Sequence, residues 1–270
     1  MMIRPSSILD HYGKINAAYL HAFGKSGTEQ LLRELNPKED ERILEIGFGT
    51  GATLVTLKSR FPRVHLSGLE TSPLMLEKTK SRLRFCGLGS DIDIRLMDNP
   101  DYTGFADHSV DNIYLESVLA IQEDETLEHL IAEIHRLLKP GGRLVFNETV
   151  WLPEITDKEI STINEMCKRE FGIIQSSGKY KTAADWKTML EVHGFEVLHY
   201  KRIDPGATAG QEKGRRFPEF LSRIFTIIGK IGGKLNKQLR TEDIRYKNIM
   251  KNLYEDKQYM EGTIFTARLR

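Results

Sequence analysis

The spacing of apolar residues changes along this chain and divides it into three stretches. Residues 5–36 show helical spacing, with Ile8, Tyr12, Ile15 and Tyr19 and later Leu31, Leu32 and Leu35 apolar; the pattern breaks around Gly24–Gly27, and Pro37 stops the second helix. From Ile43 to Val150, short apolar runs alternate with amphipathic ones. The runs Ile43–Ile46, Val64–Leu69, Ile92–Met97, Val110–Leu115 and Arg143–Asn147 predict strands, and helices are predicted up to Phe61, over Pro73–Phe85 and over Thr126–Leu138. Ser72 followed by Pro73 is a good N-cap and first-turn pair, and Pro140-Gly141-Gly142 reads as the turn between a helix and a strand. Such alternation predicts an α/β fold, a mostly parallel sheet with helices on both faces.

After Val150 the rhythm changes. A helix-like stretch lies within residues 151–181 and is followed by a Gly/Ser turn at Ser176–Gly178. Thr182 then caps a helix that Gly194 ends, and Phe195–Ile203 alternates as a strand. Residues 262–270 read as a last strand, expected antiparallel beside Phe195–Ile203. Between the two, residues 204–261 form an insertion far longer than an ordinary connection. It is helical and amphipathic, with Phe217, Phe220, Leu221, Ile224, Phe225, Ile228, Ile231 and Leu235 on one stripe and Arg223, Lys230 and Lys234 on another face.

That stripe is expected to be buried, which makes residues 204–261 a lid-like unit folded back over the acceptor side of one domain, residues 1–270. Gly229, Gly232 and Gly233 would give it local flexibility. From Lys201 to Lys251 there are thirteen Lys and Arg against five Asp and Glu, so +8 there and −7 elsewhere in a chain of net charge +1. A helix packed on the core with a solvated basic face, contact with an anionic membrane surface, or contact with a second copy are the other readings of the stripe. Phenylalanines on an apolar face, rather than interleaved among basic residues, argue against a polynucleotide groove.

At 270 residues the chain is long enough for a full α/β core, and a net charge of +1 gives no global reason to expect nucleic acid. Cys86 and Cys167 lack metal-ligand spacing and are expected to be reduced thiols. No basic-then-apolar leader opens the chain, and no apolar run approaches the roughly twenty residues of a membrane span. The expectation is a soluble, cytoplasmic protein without a metal.

The chemistry concentrates in Arg42–Ala52, RILEIGFGTGA. A strand runs into Gly47-Phe48-Gly49-Thr50-Gly51 and a helical pattern follows, so backbone N–H groups at a helix start can face a ligand that a Cβ would obstruct. The looser dinucleotide fingerprint fits Gly47-x-Gly49-x-x-Ala52 as well, with Glu70 where a ribose-binding acid is expected. Glu45 decides between cofactors. A carboxylate at the end of the first strand would repel the pyrophosphate of NAD, whereas it suits a nearby ammonium. S-adenosylmethionine has that ammonium, a carboxylate for the loop amides, a ribose for Glu70 and no phosphate. No Walker lysine follows the loop.

The stretch from Ile43 to Val150 resembles the class I S-adenosylmethionine-dependent methyltransferases of the small-molecule branch. LEIGFGTG is similar to the family's first motif and GLETSPLMLEKTKSRL to its second strand and helix. MDNPDYTGFADHSVDNIYLESVL is similar to the segment carrying an adenine-contacting acid and the fourth strand, and IAEIHRLLKPGGRLVF to the helix, turn and fifth strand. The resemblance implies a Rossmann-like seven-stranded sheet with an antiparallel C-terminal strand. It implies that Glu45 and the backbone of Gly47, Gly49 and Gly51 hold the methionine end, that Glu70 takes the ribose hydroxyls, and that Asp98, with Asn99 close by, accepts from the adenine amino group. HAFGKSGTEQLL resembles the family's cofactor-capping helix, so residues 1–36 are expected to cover the cofactor. Phe48 and Val110 depart from the family's usual cysteine or alanine and phenylalanine.

Methyl transfer from a sulfonium needs alignment above all, and a base only where the acceptor must lose its proton early. Two carboxylates are expected at the carboxyl edge of the sheet, Glu116 after the fourth strand and Glu148 at the end of the fifth, beside Asn147 and Trp151. Either can orient an acceptor amine or hydroxyl, or cap a neighbouring helix. Tyr12 and Tyr19 are candidate cofactor covers or packing residues, and His21, His129 and His193 have no assigned role. Absence of an Asn/Asp-Pro-Pro-Tyr/Phe run and of a Pro-Cys pair argues against nucleobase methylation. The leading expectation is methyl transfer to a small, partly apolar acceptor. An NAD-dependent oxidoreductase, an RNA- or protein-modifying enzyme and a non-catalytic S-adenosylmethionine-binding protein are the alternatives.

Overall fold

Seven strands form one sheet in the order β3-β2-β1-β4-β5-β7-β6, in a computed structural model that describes residues 7–21, 23–97, 103–206, 216–254 and 257–270. The first half alternates: β1 (Arg42–Ile46), α3 (Ala52–Arg60), β2 (His65–Glu70), α4 (Pro73–Phe85), β3 (Ile92–Leu96), β4 (Val110–Glu116), α5 (Asp124–Leu137) and β5 (Leu138–Trp151). Two helices precede it, α1 (Ile8–Lys14) and α2 (Gly24–Leu35). After it come α6 (Asp157–Phe171), α7 (Ala183–Val192), β6 (Phe195–Arg202), α8 (Arg216–Leu235), α9 (Lys237–Tyr254) and β7 (Met260–Leu269). As expected, β7 returns antiparallel to β6, and it pairs antiparallel with β5 as well, filling the space between them.

The starts of these helices follow from local chemistry. Ser72 accepts from the Met75 N–H with Pro73 in the first turn of α4. Thr182 with Asp185 and Thr156 with Glu159 form capping boxes at α7 and α6. Apolar residues alternate between the two faces of the central strands. Ile43, Tyr114, Val145 and Ile264 pack against Leu31 and Leu32 of α2 and Leu54 of α3. On the other face Leu44, Leu115, Phe146 and Phe265 pack against Ile131 of α5 and Trp186 of α7. Truncating one such leucine to alanine costs roughly 2–5 kcal/mol.

Three local expectations are corrected. The break between the N-terminal helices falls around Asn16, Tyr19 and Phe23, which take left-handed φ of 50°, 54° and 64°, while Gly24 and Gly27 belong to α2. Strand β5 begins at Leu138, directly after α5, rather than at Arg143. Leu138 pairs with Val110 and Arg143 with Asn112, so Pro140-Gly141-Gly142 is looped out as a bulge inside the ladder. A Cβ on Gly142 would come within 2.8 Å of the Lys139 carbonyl, which is why the bulge needs glycine there.

The third correction concerns the insertion. Helix α8 packs on the outer side of α3 and α4, and most of its apolar stripe is not buried: Leu221, Ile224 and Phe225 are half-buried, but Phe217, Phe220, Ile228, Ile231 and Leu235 remain 54–82% exposed. The placement follows from Arg82 of α4. Its fully buried guanidinium donates to the Ser222 carbonyl (2.9 Å) and to the Ser222 and Thr226 hydroxyls (2.8 and 3.0 Å), drawing the polar side of α8 inward. Helix α9 instead packs against α1. Tyr246 joins Ile8, Trp151, Ile163 and Phe171 in an apolar cluster beyond the carboxyl end of β5.

Candidate cofactor and acceptor site

The turn after β1 takes left-handed φ at Gly47, Gly49 and Gly51 (77°, 53° and 75°). A Cβ at Gly47 would lie 2.4 Å from Val118, and one at Gly51 2.6 Å from Thr79, so conformation and crowding both require glycine. Phe48 points away from the turn into the core, where its ring occupies the space beside Gly68; a Cβ there would meet it at 2.7 Å.

Glu70, at the end of β2, holds this turn. Its Oε2 accepts from the Gly49 N–H (2.8 Å) and its Oε1 from the Thr71 and Ser72 N–H groups (2.8 and 3.0 Å). Burial raises its carboxyl above the usual range against these three donors. Glu45 is buried beneath the turn and accepts from the Tyr114 hydroxyl at 2.6 Å. Burial, with Glu116 and Glu70 nearby, pushes the Glu45 carboxyl well above its ordinary value. Three buried carboxyls thus surround the glycine turn. A ligand bringing positive charge relieves their repulsion, and a pyrophosphate would add to it.

Glu116 lies on the same sheet face, at the end of β4. Thr53 of α3 donates to its Oε1 (2.7 Å), and Thr28 of α2 and Asn147 of β5 donate to its Oε2 (2.8 and 3.2 Å). His21, given no role by sequence reasoning, sits with Nε2 at 3.0 Å from Glu116 Oε2 and 2.9 Å from the Thr28 hydroxyl. Glu148 faces the other side. Its Oε1 accepts from the Val118 and Leu119 N–H groups (2.9 and 2.7 Å), and its Oε2 is buried with no hydrogen-bond partner among the described residues. Burial pushes its carboxyl up to about 8. The two catalytic candidates therefore belong to the same edge but to opposite faces of it.

Two further residues mark this edge without a signal in the sequence. Ser117, between Glu116 and Val118, takes a left-handed φ of 54°, and its hydroxyl is buried without a partner among the described residues. Non-glycine residues hold that conformation at a cost and cluster at functional sites. Arg82 also reaches the turn, donating from Nε to the Thr50 carbonyl (2.7 Å) and from Nη2 to the Asn16 carbonyl (3.0 Å). The linker between α1 and α2 closes over this side: the Thr50 hydroxyl donates to the Ala17 carbonyl (2.5 Å), and Leu20 lies against Gly49. Tyr19 bonds Thr56 of α3 through its hydroxyl (3.2 Å), whereas Tyr12 packs with the apolar cluster that includes Tyr246. Asp98 and Asn99 lie outside the described residues. Among the described residues, no three His, Cys, Asp or Glu side chains are grouped as metal ligands would be.

The residues around the turn fit S-adenosylmethionine. Known proteins agree. A methyltransferase-domain family matches residues 43–142. The chain is 27% identical over 175 residues to the sterol 24-C-methyltransferase ERG6A of Gibberella zeae, covering 64% of this chain and 44% of that one. It is 25% identical over 224 residues to the ubiquinone/menaquinone biosynthesis C-methyltransferase UbiE of Bartonella tribocorum, covering 77% and 85%. Among solved structures, phosphoethanolamine N-methyltransferase 2 of Haemonchus contortus in complex with S-adenosyl-L-methionine has the same fold, with a TM-score of 0.66, 17% identity and coverage of 97% of this chain and 56% of that one. The glycine turn with its acids, the sheet order with antiparallel β7 and these matches agree: the chain belongs to the class I S-adenosylmethionine-dependent methyltransferases.

Proposed function

We propose that this chain transfers the methyl group of S-adenosylmethionine to a small, partly apolar acceptor at the carboxyl edge of β4 and β5. The named relatives act on acceptors as different as a sterol and a phosphoethanolamine, so the acceptor class has to rest on this chain's own residues. The observation that carries the reading is the apolar cluster beyond β5, in which Trp151, Phe171 and Tyr246 come from three different elements. The three are buried and packed on one another, and an acceptor with a hydrocarbon body is what such a cluster would receive on parting.

In this reading the glycine turn and Glu45 hold the methionine end, Glu70 the ribose, and Asp98 with Asn99 the adenine. S-adenosylmethionine, when bound, supplies an electrophilic methyl on a sulfonium. The protein's own part is alignment and exclusion of water, and alignment alone can be worth about 7–11 kcal/mol. Glu148, whose carboxyl keeps its proton to about pH 8, is positioned to donate from Oε2 to an acceptor oxygen rather than to remove a proton. Glu116, with both oxygens bonded, positions α2 and α3 against the edge.

The test is transfer of labelled methyl from S-adenosylmethionine to a panel containing prenylated phenols, sterols and fatty acids beside amino acids, phosphoamines and RNA. Turnover confined to amphipathic acceptors is expected. Turnover only on polar acceptors or RNA would reject the apolar class, and tight S-adenosylhomocysteine binding with no turnover on any of them would favour a non-catalytic binder.

A further inference from the structure

Helix α8 turns its small residues inward and its large apolar residues outward. Ser222, Thr226, Gly229 and Gly233 recur at spacings of four, three and four along the side that meets the body of the protein. A Cβ at Gly229 would lie 2.4 Å from the Ile15 carbonyl, and one at Gly233 2.5 Å from the Ile15 side chain, so the helix sits as close as its backbone allows. On the opposite side Phe217, Phe220, Ile227, Ile228, Ile231 and Leu235 are 54–82% exposed. Phe85 at the end of α4, itself 42% exposed, extends the same surface through its ring contact with Phe225 (5.7 Å). Isolated exposed apolar residues are ordinary, but a contiguous face along twenty residues of helix is not.

Charge decides what fits there. Arg223, Lys230 and Lys234 are exposed along one edge of the apolar face and make no ion pair among the described residues. The single acid of α8, Glu219, is turned inward to Arg60 at 2.9 Å. Along the sequence, residues 201–251 carry +8 against −7 for the rest of the chain. A second copy placed antiparallel on the face by a two-fold axis would set the two rows of cations on the same edge, with no acid of either helix turned outward to answer them.

We propose that α8 is an interfacial helix that docks on the anionic surface of a lipid bilayer. It lies along the membrane with Phe217, Phe220, Ile228 and Ile231 in the acyl boundary and Arg223, Lys230 and Lys234 among the head groups. No described helix is long and apolar enough to cross a membrane, so the contact is peripheral. The inward side of the same helix is bonded to Arg82, which also holds the Thr50 carbonyl, so the docking helix and the cofactor turn share one guanidinium.

The experiment is flotation of the full chain with vesicles of phosphatidylcholine alone and of phosphatidylcholine mixed with phosphatidylglycerol. The chain should float with the mixed vesicles and not with the neutral ones, and added salt should weaken the binding. Ile228→Ser with Ile231→Ser, and separately Lys230→Glu with Lys234→Glu, should each lower the partition coefficient at least about tenfold. Unchanged circular dichroism and S-adenosylhomocysteine binding would show that these exposed substitutions leave the fold intact. Failure to float with anionic vesicles, or flotation indifferent to vesicle charge, overturns the proposal. So does a dimer in sedimentation that the isoleucine variant converts to monomer, which would make the face a contact between copies. Vesicle binding is read without methyl transfer, so failure of the acceptor reading would leave this result standing.

Discussion

Arg82 Nε donates to the Thr50 carbonyl across 2.7 Å, from inside a helix to the middle of the glycine turn. The guanidinium is fully buried, and every described hydrogen bond it makes goes to a neutral oxygen, in the turn, in the linker after α1 and in α8. Burial lowers its pKa to about 10, so it stays charged at neutral pH. Hydrogen bonds from a charged donor contribute about 1.5–3 kcal/mol each, and removing the donor strands buried carbonyls.

Arg82→Met is therefore expected to lose at least about 2 kcal/mol in urea unfolding and to bind S-adenosylhomocysteine more weakly by calorimetry. If stability falls while affinity is unchanged, Arg82 ties α8 to the body without shaping the turn.

Glu70→Ala tests the ribose assignment. It removes an acceptor for the Gly49, Thr71 and Ser72 N–H groups as well as for the ligand. Loss of a charged bidentate acceptor should weaken S-adenosylhomocysteine binding by about 1.5–3 kcal/mol, roughly 10- to 150-fold. An affinity equal to the parent's would exclude Glu70 from the ribose site.

Glu148 should leave a signature in the pH dependence of stability. Its carboxyl titrates near 8 in the folded chain and near 4.5 when unfolded, so between those values the native state holds one proton more. Stability should then fall as pH rises through that window, by about 1.4 kcal/mol per pH unit from this group alone. Glu148→Gln keeps an acceptor for the Val118 and Leu119 N–H groups and cannot ionise. Urea unfolding of parent and variant from pH 5 to 8 should show a difference that widens in the variant's favour with pH; parallel curves would mean that Glu148 is ionised throughout.

The strands and glycine turn were legible because period-two and period-3.6 patterns and glycine conformational needs are local. Ser72-Pro73 and Thr182 mark their helix starts for the same reason. What the pattern missed depends on tertiary pairing. The Pro140–Gly142 bulge arises only because Leu138 finds Val110 across the ladder. The stripe of α8 was expected to be buried because apolar area favours burial, yet a buried arginine on α4 claims the polar side of the helix instead. At the site, Glu45 and Glu70 stand out as acids at strand ends, whereas His21, Arg82 and Ser117 acquire meaning only from neighbours far away in sequence.

Phe48 and Gly68 offer a last test, of how this chain accommodates its departure from the family pattern inside the first motif. The ring is buried, 4% exposed, and stands where a Cβ on Gly68 would approach to 2.7 Å. A packed core cannot shift an aromatic ring freely, so Gly68→Ala alone should destabilise by about 1–3 kcal/mol. Phe48→Ala alone leaves a cavity beside β2 and should cost about 3–5 kcal/mol. In the double variant the added methyl has room and fills part of that cavity. Its loss should be smaller than the sum of the two by at least about 0.5 kcal/mol, the coupling expected of residues in contact. Urea unfolding of all four proteins measures the cycle. Additive losses would mean that the glycine serves the strand backbone alone, and that Phe48 is tolerated for a reason other than the space Gly68 leaves it.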